Sequence, residues 1–509
     1  MALVVSEDDV RRAVSSFPTR SAGGPDGLSP LHLKTLVGCR IGGPDLLSAL
    51  TGFINLCLSG GCPPEVAKVF FGGRLTALDK KSGGIRPIAV GFTFRRWSSK
   101  LANSFGMARL ADYLSPRQLG VGVRRGCEAA IQATRRFLTD LEGDRVLVKI
   151  DFTNAFNSLH RRDMLSAIRD RLPELYPFLF SAYASPSILH YGSYTIFSNE
   201  GTQQGDPLGP LLFSNTIHPL LLSLQSELTV GYLDDLTLAG SQDIVAEDVQ
   251  RIVGAGSSLG LFLNVSKCEL IANTDVVVDD PLLRSFQRVD VAEASLLGAP
   301  LFRGATLDDA WEERCGDMAR AAERLNSISS QDELILLRAS FGAPRVQHLL
   351  RCSPSADHDS LVKFDDIQRK SLSGVVNAQL SETQWVQASL PIKEGGLGLR
   401  RVTSLAVPAF LASTARTLNL QDALLGKCPC PPDGMAMQLA DDWGSRFGAV
   451  PAGTLAHKQS AWDGPGIAKD RSLILAGLST RREKAVHLAA SRGMAVRPAD
   501  SCLRSTAGR

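Results

Sequence analysis

The sequence predicts an α+β fold in which helices cover one face of a largely antiparallel sheet. Between residues 145 and 273, the pattern runs strand, helix, hairpin, helix, hairpin, helix, strand. Two segments, "SILHYGSYTIFS" and "TVGYLDDLTLAG", carry turn residues between strand-like halves, which is typical of hairpins and so of antiparallel neighbours. Because 509 residues exceed one compact domain, we expect two or three domains or lobes.

Each element has a local signal. "RVLVKIDF" is a β-branched apolar run of strand length that ends on an aspartate. Pro207 lies near the first turn of a predicted helix, and Ser241 or Asp243 is a suitable N-cap for the next one. The predicted elements are a strand at 145–152, a hairpin at 187–198, a helix from about Leu208, a hairpin at 229–240, a helix at 241–260 and a strand at 261–273.

Composition excludes several classes of protein. Apolar residues make up 44% of the chain, yet no run of 18 apolar residues occurs, and the N-terminal apolar patch soon meets acidic residues. The ten cysteines are scattered without paired CxxC knuckles, as expected in a reducing compartment. We therefore expect an intracellular protein, nuclear or cytoplasmic, that is not secreted and has no membrane partner. Cys428 and Cys430 with His457 could begin a zinc site, but their spacing fits no common pattern.

Charge is unevenly distributed along the chain. The net charge is only +3, but residues 68–136 hold fourteen Lys and Arg against three acidic residues, so the remainder is net acidic. Such an asymmetry is typical of a face that meets phosphates, whereas solvated helix faces usually mix both signs. The sequence therefore favours nucleic-acid or nucleotide binding.

Acidic residues stand where two predicted strands end or turn. Asp151 ends the first strand, and Asp234 and Asp235 interrupt the second hairpin. If these strands are neighbours, three carboxylates meet at one edge of the sheet, and their repulsion needs a counter-charge. Two magnesium ions about 3.5–4 Å apart are a standard device for attack of a hydroxyl on a phosphate. The alternative for the Asp pair is a solvated turn.

The motifs "KIDFTNAFNSLHR", "GTQQGDPLGPLLF", "VGYLDDLTLAG", "GLFLNVSKCEL" and "SLLGAPLFRG" stand in the order of the palm motifs of reverse transcriptases. Upstream, "SAGGPDGLSPLHLKTL" and "LTALDKKSGGIRPIAV" resemble the extra N-terminal motif and the fingers segment of the non-LTR retrotransposon branch. The resemblance covers roughly residues 20–305. It departs from the pattern at Leu233, where non-LTR enzymes usually carry alanine.

This resemblance implies a right-hand polymerase fold with fingers, a palm built on an antiparallel sheet and a helical thumb, followed by a mostly helical C-terminal region. The implied partners are an RNA template, a DNA primer and dNTPs, with two Mg²⁺ ions, or Mn²⁺, as cofactors. The expected segments are an N-terminal helical extension at 1–60, fingers and palm at 61–305, a thumb-like region at 306–385 and a region of unknown role at 386–509. Within the last, 390–413 resembles a segment that follows some retroelement polymerases.

The resemblance also implies catalytic and metal-binding residues. Asp151 and Asp234 would ligate both metals and Asp235 would support them, although a strand-end cap is the alternative for Asp151. Lys267 would protonate the departing pyrophosphate, unless it is simply solvated. Phe156 would be the steric gate that excludes a ribose 2′-hydroxyl, unless it only packs in the core.

Other residues would bind substrate. Arg86 would grip the triphosphate, helped by Lys80 and Lys81, for which solvation is the alternative. Gln204, Gly205 and Asp206 would form the loop that borders template and nucleotide, whereas Asp206 could equally be a helix N-cap. The substrate-binding set implied is Arg86, Lys80, Lys81, Phe156, Gln204, Gly205, Asp206 and Tyr232.

Three functions remain open from the sequence. The favoured one is an RNA-directed DNA polymerase, a nucleotidyltransferase. An RNA-directed RNA polymerase would share the palm acids, but Phe156 argues against it. A retroelement relic or domesticated protein would bind nucleic acid without turnover, and the intact Asp151, Asp234 and Asp235 argue against decay at the centre.

Overall fold

A computed structural model describes residues 1–79, 83–428 and 430–491. The chain divides into two compact units. The first unit contains Met1–Cys127 and Glu142–Arg288, and the second contains Glu128–Leu141 and the chain from Val289 onward. The four segments expected from the sequence stay predictions.

Helices make up most of the described chain. They are α1 (Glu7–Ser15), α2 (Pro30–Val37), α3 (Gly43–Leu58), α4 (Pro64–Phe70), α5 (Thr93–Leu114), α6 (Gly126–Thr139), α7 (Ala155–Ser158), α8 (Arg161–Arg171), α9 (Tyr176–Tyr183), α10 (Gly209–Ser223), α11 (Gln242–Ser258), α12 (Pro281–Arg284), α13 (Ala305–Leu325), α14 (Ser330–Leu336), α15 (Ala343–Cys352), α16 (Asp359–Val375), α17 (Glu382–Ser389), α18 (Val402–Leu424), α19 (Gly434–Phe447), α20 (Gln459–Gly477) and α21 (Arg481–Ser491).

The strands are concentrated in the first unit. They are β1 (Gly73–Asp79), β2 (Ile85–Gly91), β3 (Arg145–Ile150), β4 (Ser187–Tyr191), β5 (Tyr194–Ser198), β6 (Leu228–Tyr232), β7 (Asp235–Ser241), β8 (Glu269–Ile271), β9 (Gln287–Val289), β10 (Ser295–Leu296) and β11 (Ala299–Pro300). Both predicted hairpins are confirmed, as β4 with β5 and β6 with β7.

The main sheet of the first unit has the order β6-β7-β3-β8-β9. The pairings of β3 with β7, β3 with β8 and β6 with β7 are antiparallel, which confirms the predicted sheet type. Val146, Leu147 and Val148 in β3 are fully buried, as a central strand requires. The predicted strand at 261–273 is shorter than expected, because Asn264 donates its backbone N–H to the carbonyl oxygen of Asp151 and a 3₁₀ turn follows.

A second sheet in the same unit has the order β2-β1-β4-β5. Its hairpins β1–β2 and β4–β5 are antiparallel, while β1 and β4 run parallel at Gly73↔Leu189. The N-terminal helices pack into this unit. The indole nitrogen of Trp97 in α5 donates to the carbonyl oxygen of Val10 in α1 at 3.1 Å, and both residues are fully buried.

The second unit is helical apart from the short pair β10–β11 within its described residues, as predicted for 306–385. Its core contains Trp311, Phe364 and Leu350. Helix α6 is tied to this unit by buried charge: Arg135 pairs with Asp433 at 2.8 Å, and the two side chains are only 1% and 5% exposed. No helix in the described part of the chain is long and apolar enough to cross a membrane.

The basic segment at 68–136 is less available to phosphates than its composition suggests. Arg95, Arg135 and Arg136 are buried, and each is engaged by an aspartate. Arg109 faces Glu174 at 3.3 Å. The charge count therefore overestimates the basic surface, because arginines held in internal ion pairs cannot attract a nucleic acid.

Candidate active site

The three predicted carboxylates meet at one end of the main sheet. Strands β3 and β7 are antiparallel neighbours in the register Ile150↔Leu236, which places Asp151, just past β3, opposite Asp235. Tyr232 pairs with Asp235, so Leu233 and Asp234 form a two-residue hairpin turn. The structure thus confirms that the two strands are neighbours.

The acids perturb each other's protonation. Burial raises the pKa of Asp234, and Asp151 raises it further, while Asp234's own backbone N–H and the charge of Arg86 oppose the shift. The pKa of Asp235 rises to about 6, first through burial and then through Asp234 and Asp151, with Lys149 opposing. In the described ranges, no lysine, arginine or histidine forms an ion pair with any of these three carboxylates. Within the described residues, the charges of Arg86 and Lys149 therefore act on these acids only without direct ion pairing.

The donor set fits a hard divalent cation. Carboxylate oxygens are the ligands that magnesium prefers, and a bound cation would reverse the upward pKa shifts of Asp234 and Asp235. Among the described residues, no three His, Cys, Asp or Glu side chains already stand in a metal-binding arrangement. Cys428, Cys430 and His457, the possible zinc ligands, do not form such an arrangement either.

Arg86 approaches the acids from the second sheet. It is exposed on β2, and its charge is close enough to lower the pKa of Asp234. The structure therefore brings this residue, 148 positions from Asp234 in sequence, to the site that the carboxylates form. Lys80 and Lys81 lie outside the described residues.

Phe156 lies just beyond the acidic end of β3. Helix α7, which carries it, begins after Asn154, whose φ is +51°. The Phe156 ring stacks on Phe213 with centroids 4.7 Å apart, and its side chain is half-buried. Its carbonyl oxygen accepts the backbone N–H of Thr202 at 2.7 Å. The ring is thus fixed by a core contact while part of its surface stays open.

The Gln204–Gly205 loop lies against β2. The Gln204 carbonyl oxygen accepts the backbone N–H of Ala89 at 2.7 Å. Gly205 has φ +119°, and a Cβ at this position would overlap the carbonyl oxygen of Ala89. No other residue type fits this close approach without strain. A cavity of about 410 Å³ adjoins the loop, lined by residues that include Gln204, Asn157 and Phe197.

Asp206 is held by partners inside the protein, and its predicted role at the template and nucleotide stays a prediction. It is 8% exposed, and its carboxylate pairs with Arg95 at 2.9 Å and accepts the hydroxyl of Tyr183 at 2.7 Å. It also accepts the backbone N–H of Leu208, which is the N-cap of α10, so Asp206 itself is not that cap. Because its carboxylate is occupied inside the protein, the geometry favours support of the loop over contact with a nucleotide.

Arg95 was missed by sequence reasoning. Besides Asp206, its guanidinium donates to Gln203 Oε1 and to the carbonyl oxygen of Phe71. The pairing joins positions 111 residues apart, and "FTFRRWSSK" offers no local sign that Arg95 is the buried one. Covariation of positions 95 and 206 among homologues is the signal that could have revealed the Arg95–Asp206 ion pair.

Tyr232 and Lys267 complete the predicted set. Tyr232 is half-buried on β6, and its pKa is raised by burial, then by Cys127 and Asp235. Lys267 is exposed in the 3₁₀ turn Val265–Lys267, which follows the contact of Asn264 with the Asp151 backbone. Both lie around the acidic end of the sheet, and their roles stay predictions.

Residues 78–301 match the family described as "Reverse transcriptase (RNA-dependent DNA polymerase)". The chain is 26% identical over 430 residues to the "Retrotransposable element SLACS 132 kDa protein" of Trypanosoma brucei gambiense, covering 79% of this chain and 34% of that protein. It is 23% identical over 473 residues to the "Retrovirus-related Pol polyprotein from type-1 retrotransposable element R2" of Nasonia vitripennis, covering 83% and 43%. The chain therefore spans well under half the length of these curated relatives.

Among solved structures, one that is similar is the telomerase of Candida albicans in complex with a fragment of telomeric RNA. The TM-score is 0.39 at 10% identity, over 82% of this chain and 66% of the telomerase chain.

Proposed function

We propose that the chain is an RNA-directed DNA polymerase of retroelement origin, because residues 78–301 match the reverse transcriptase family and the chain is similar to two retrotransposon proteins. It extends the 3′-hydroxyl of a primer with dNTPs on an RNA template. The observation that carries the proposal is the convergence of Asp151, Asp234 and Asp235 at one sheet end with Arg86 in electrostatic reach. The expected compartment is the nucleus or cytoplasm, where RNA templates occur.

The chemistry is attack of the primer 3′-oxygen on the α-phosphorus of the dNTP, with pyrophosphate as the leaving group. Two divalent cations, Mg²⁺ or Mn²⁺, held by Asp151 and Asp234 with support from Asp235, would supply charge stabilisation at the reacting oxygens. Arg86 holds the triphosphate through its fork of donors. Lys267 would give a proton to the departing pyrophosphate.

Residues around the end of the sheet that carries the three aspartates would select the substrate. Phe156 would stand against the sugar and exclude a 2′-hydroxyl, which supports a DNA product over an RNA product. The cavity beside Gln204 and Phe197 suits an unpaired template base, since an aromatic ring offers a stacking surface that tolerates every base. Gly205 would let the backbone approach the template and nucleotide closely, and Tyr232 would help to bind substrate. Lys80 and Lys81 are proposed helpers of Arg86.

Primer extension tests the proposal. The full chain is incubated with a poly(rA) template, an oligo(dT) primer, dTTP and Mg²⁺, and product length is read on a gel. Extension that disappears on chelation with EDTA supports the proposal. Absence of extension with both Mg²⁺ and Mn²⁺, alongside retained binding of the primer–template, would instead favour a nucleic-acid-binding protein without turnover. Extension with rNTPs in preference to dNTPs would favour an RNA polymerase.

A further inference from the structure

The turn that carries Asp234 is conformationally strained. Leu233, the residue before it, has φ +60°, a region that branched and bulky side chains rarely adopt. Leu233 cannot relax by moving the turn, because Tyr232 and Asp235 on either side are paired across the hairpin. Strain of this kind persists only where the surroundings enforce it. Contacts around the turn must therefore hold Leu233 at this φ.

Gln118 bonds to both backbone polar groups of Leu233. The side chain of Gln118 is fully buried, and its Oε1 accepts the N–H of Leu233 at 2.8 Å while its Nε2 donates to the carbonyl oxygen of Leu233 at 3.1 Å. Oε1 also accepts the N–H of Gly120 at 3.2 Å. Because two backbone N–H groups face one atom and a carbonyl faces the other, only one orientation of the amide satisfies all three bonds.

The backbone around Gln118 is itself docked on β6. Leu119 donates its N–H to the Gly231 carbonyl oxygen, and the Gly231 N–H donates to the Arg117 carbonyl oxygen, both at 2.7 Å. Two glycines leave room for this contact. A Cβ on Gly231 would lie 3.0 Å from Gln118 Nε2, and a Cβ on Gly120 would lie 2.7 Å from the Leu233 nitrogen.

We propose that Gln118 is a positioning residue that holds the Leu233–Asp234 turn in its left-handed conformation and so aims the Asp234 carboxylate. The proposal rests on the polymerase function above and assigns Gln118 no contact with substrate. The two hydrogen bonds from Gln118 to the Leu233 backbone compensate for the unfavourable φ of Leu233. Without it, the turn would relax toward conformations in which Asp234 points away from Asp151 and Asp235.

The test is a cycle of four proteins: wild type, Gln118→Met, Leu233→Gly and the double variant. Methionine keeps the length of the side chain but removes the three hydrogen bonds, so we expect kcat for primer extension to fall by about 10- to 100-fold, because a small misplacement of a reacting group is costly. The KM for dNTP and the affinity for primer–template should change little. The Mg²⁺ concentration for half-maximal activity should rise, since Asp234 is the group displaced.

Leu233→Gly separates positioning from general structure. Glycine adopts positive φ without strain, so the loss caused by Gln118→Met should be several-fold smaller when residue 233 is glycine. The matched control is Gln132→Met in α6, which also removes a fully buried amide and its hydrogen bonds but lies in the second unit. We expect kcat of this control to stay close to that of the wild type.

Three outcomes would overturn the inference. They are a wild-type kcat in Gln118→Met, an equal loss in both backgrounds at residue 233, and an equal loss in the Gln132→Met control. If Gln118→Met does not fold, Gln118→Glu replaces it, since a carboxylate keeps the bonds to the Leu233 and Gly120 N–H groups and loses only the donor to the Leu233 carbonyl oxygen. Failure of the wild type to extend primers would instead contradict the proposed function.

Discussion

Arg95 and Asp206 form an ion pair of 2.9 Å whose side chains are only 3% and 2% exposed. The pair lies directly under the Gln204–Gly205 loop, so it connects helix α5 to the predicted template and nucleotide border. Removing one partner of a buried pair leaves an uncompensated charge, whereas an exposed pair contributes little.

We therefore expect Asp206→Ala to lower the free energy of unfolding by about 3–5 kcal/mol. The measurement is urea denaturation followed by circular dichroism. Asp170→Ala is the matched control, because Asp170 lies 3.8 Å from Arg169 with both side chains 63% exposed, and its loss should stay below about 1 kcal/mol. Equal losses in the two variants would contradict the assignment of Asp206 as a buried support.

Asp234→Asn should abolish primer extension while leaving the fold and template binding intact. The amide removes one ligand charge from both proposed metal positions but preserves the shape of the turn. Extension rates and equilibrium binding to a labelled primer–template are measured on the same preparation. A variant that extends primers at close to the wild-type rate would show that Asp234 does not hold the catalytic metal.

Asp235 should make stability depend on pH. Its folded-state pKa is raised to about 6 from 3.8, so the native state binds more protons than the unfolded state between these values. This carboxylate therefore contributes less to stability as pH rises from about 4 to 6. Denaturation midpoints in EDTA should show Asp235→Asn gaining on the wild type over that range, and added Mg²⁺ should reduce the gain. A pH-independent difference between the two proteins would contradict the shift.

Phe156→Val should weaken discrimination against ribonucleotides. The smaller side chain opens the space that a 2′-hydroxyl needs, so the ratio of kcat/KM for dNTP over rNTP should fall by about tenfold or more. The dNTP reaction itself should slow modestly because the stacking of Phe156 on Phe213 is lost. Phe213→Leu is the control, since it disturbs the same packing without removing the proposed gate. An unchanged ratio in Phe156→Val would return Phe156 to a packing role.

Arg86→Ala should raise the KM for dNTP and barely change template affinity measured without dNTP. Arg124→Ala should do the reverse, because Arg124 is an exposed cation of the basic segment and we place it on the nucleic acid. Its loss should reduce the slope of log affinity against log salt by about one, as release of one counterion requires. If both variants lose template affinity equally, Arg86 contacts the duplex and not the triphosphate.

Features that depend on a local sequence pattern could be predicted from the sequence. A β-branched apolar run predicted β3, and turn residues between strand-like halves predicted the two hairpins. The aspartates at the end of β3 and in the β6–β7 turn predicted a meeting of carboxylates once those strands were taken as neighbours. Arg86 was placed by resemblance, and the structure brings it within electrostatic reach of Asp234.

Other features depend on contacts that no local pattern encodes. Gln118 and Leu233 are 115 residues apart, and a glutamine in "SPRQLG" has no feature that marks it as buried. Arg135 and Arg136 contributed to a charge count that suggested an exposed basic face, yet both are buried. Charge alone could not distinguish a phosphate-binding arginine from one that an aspartate nearly 300 residues away neutralises.

The ion pairs of helix α6 limit which segments of this chain recombination can exchange. It lies within the segment that matches the reverse transcriptase family, but its Arg135 and Arg136 find their carboxylates, Asp433 and Asp422, far beyond that segment. A recombination event that exchanged residues 78–301 between two related chains would pair the α6 of one chain with the C-terminal region of the other. Unless both parents carried matching charges, the hybrid would bury an arginine without a partner. The junctions tolerated during evolution are therefore constrained by the second unit, and the segment 78–301 and the C-terminal region should descend together.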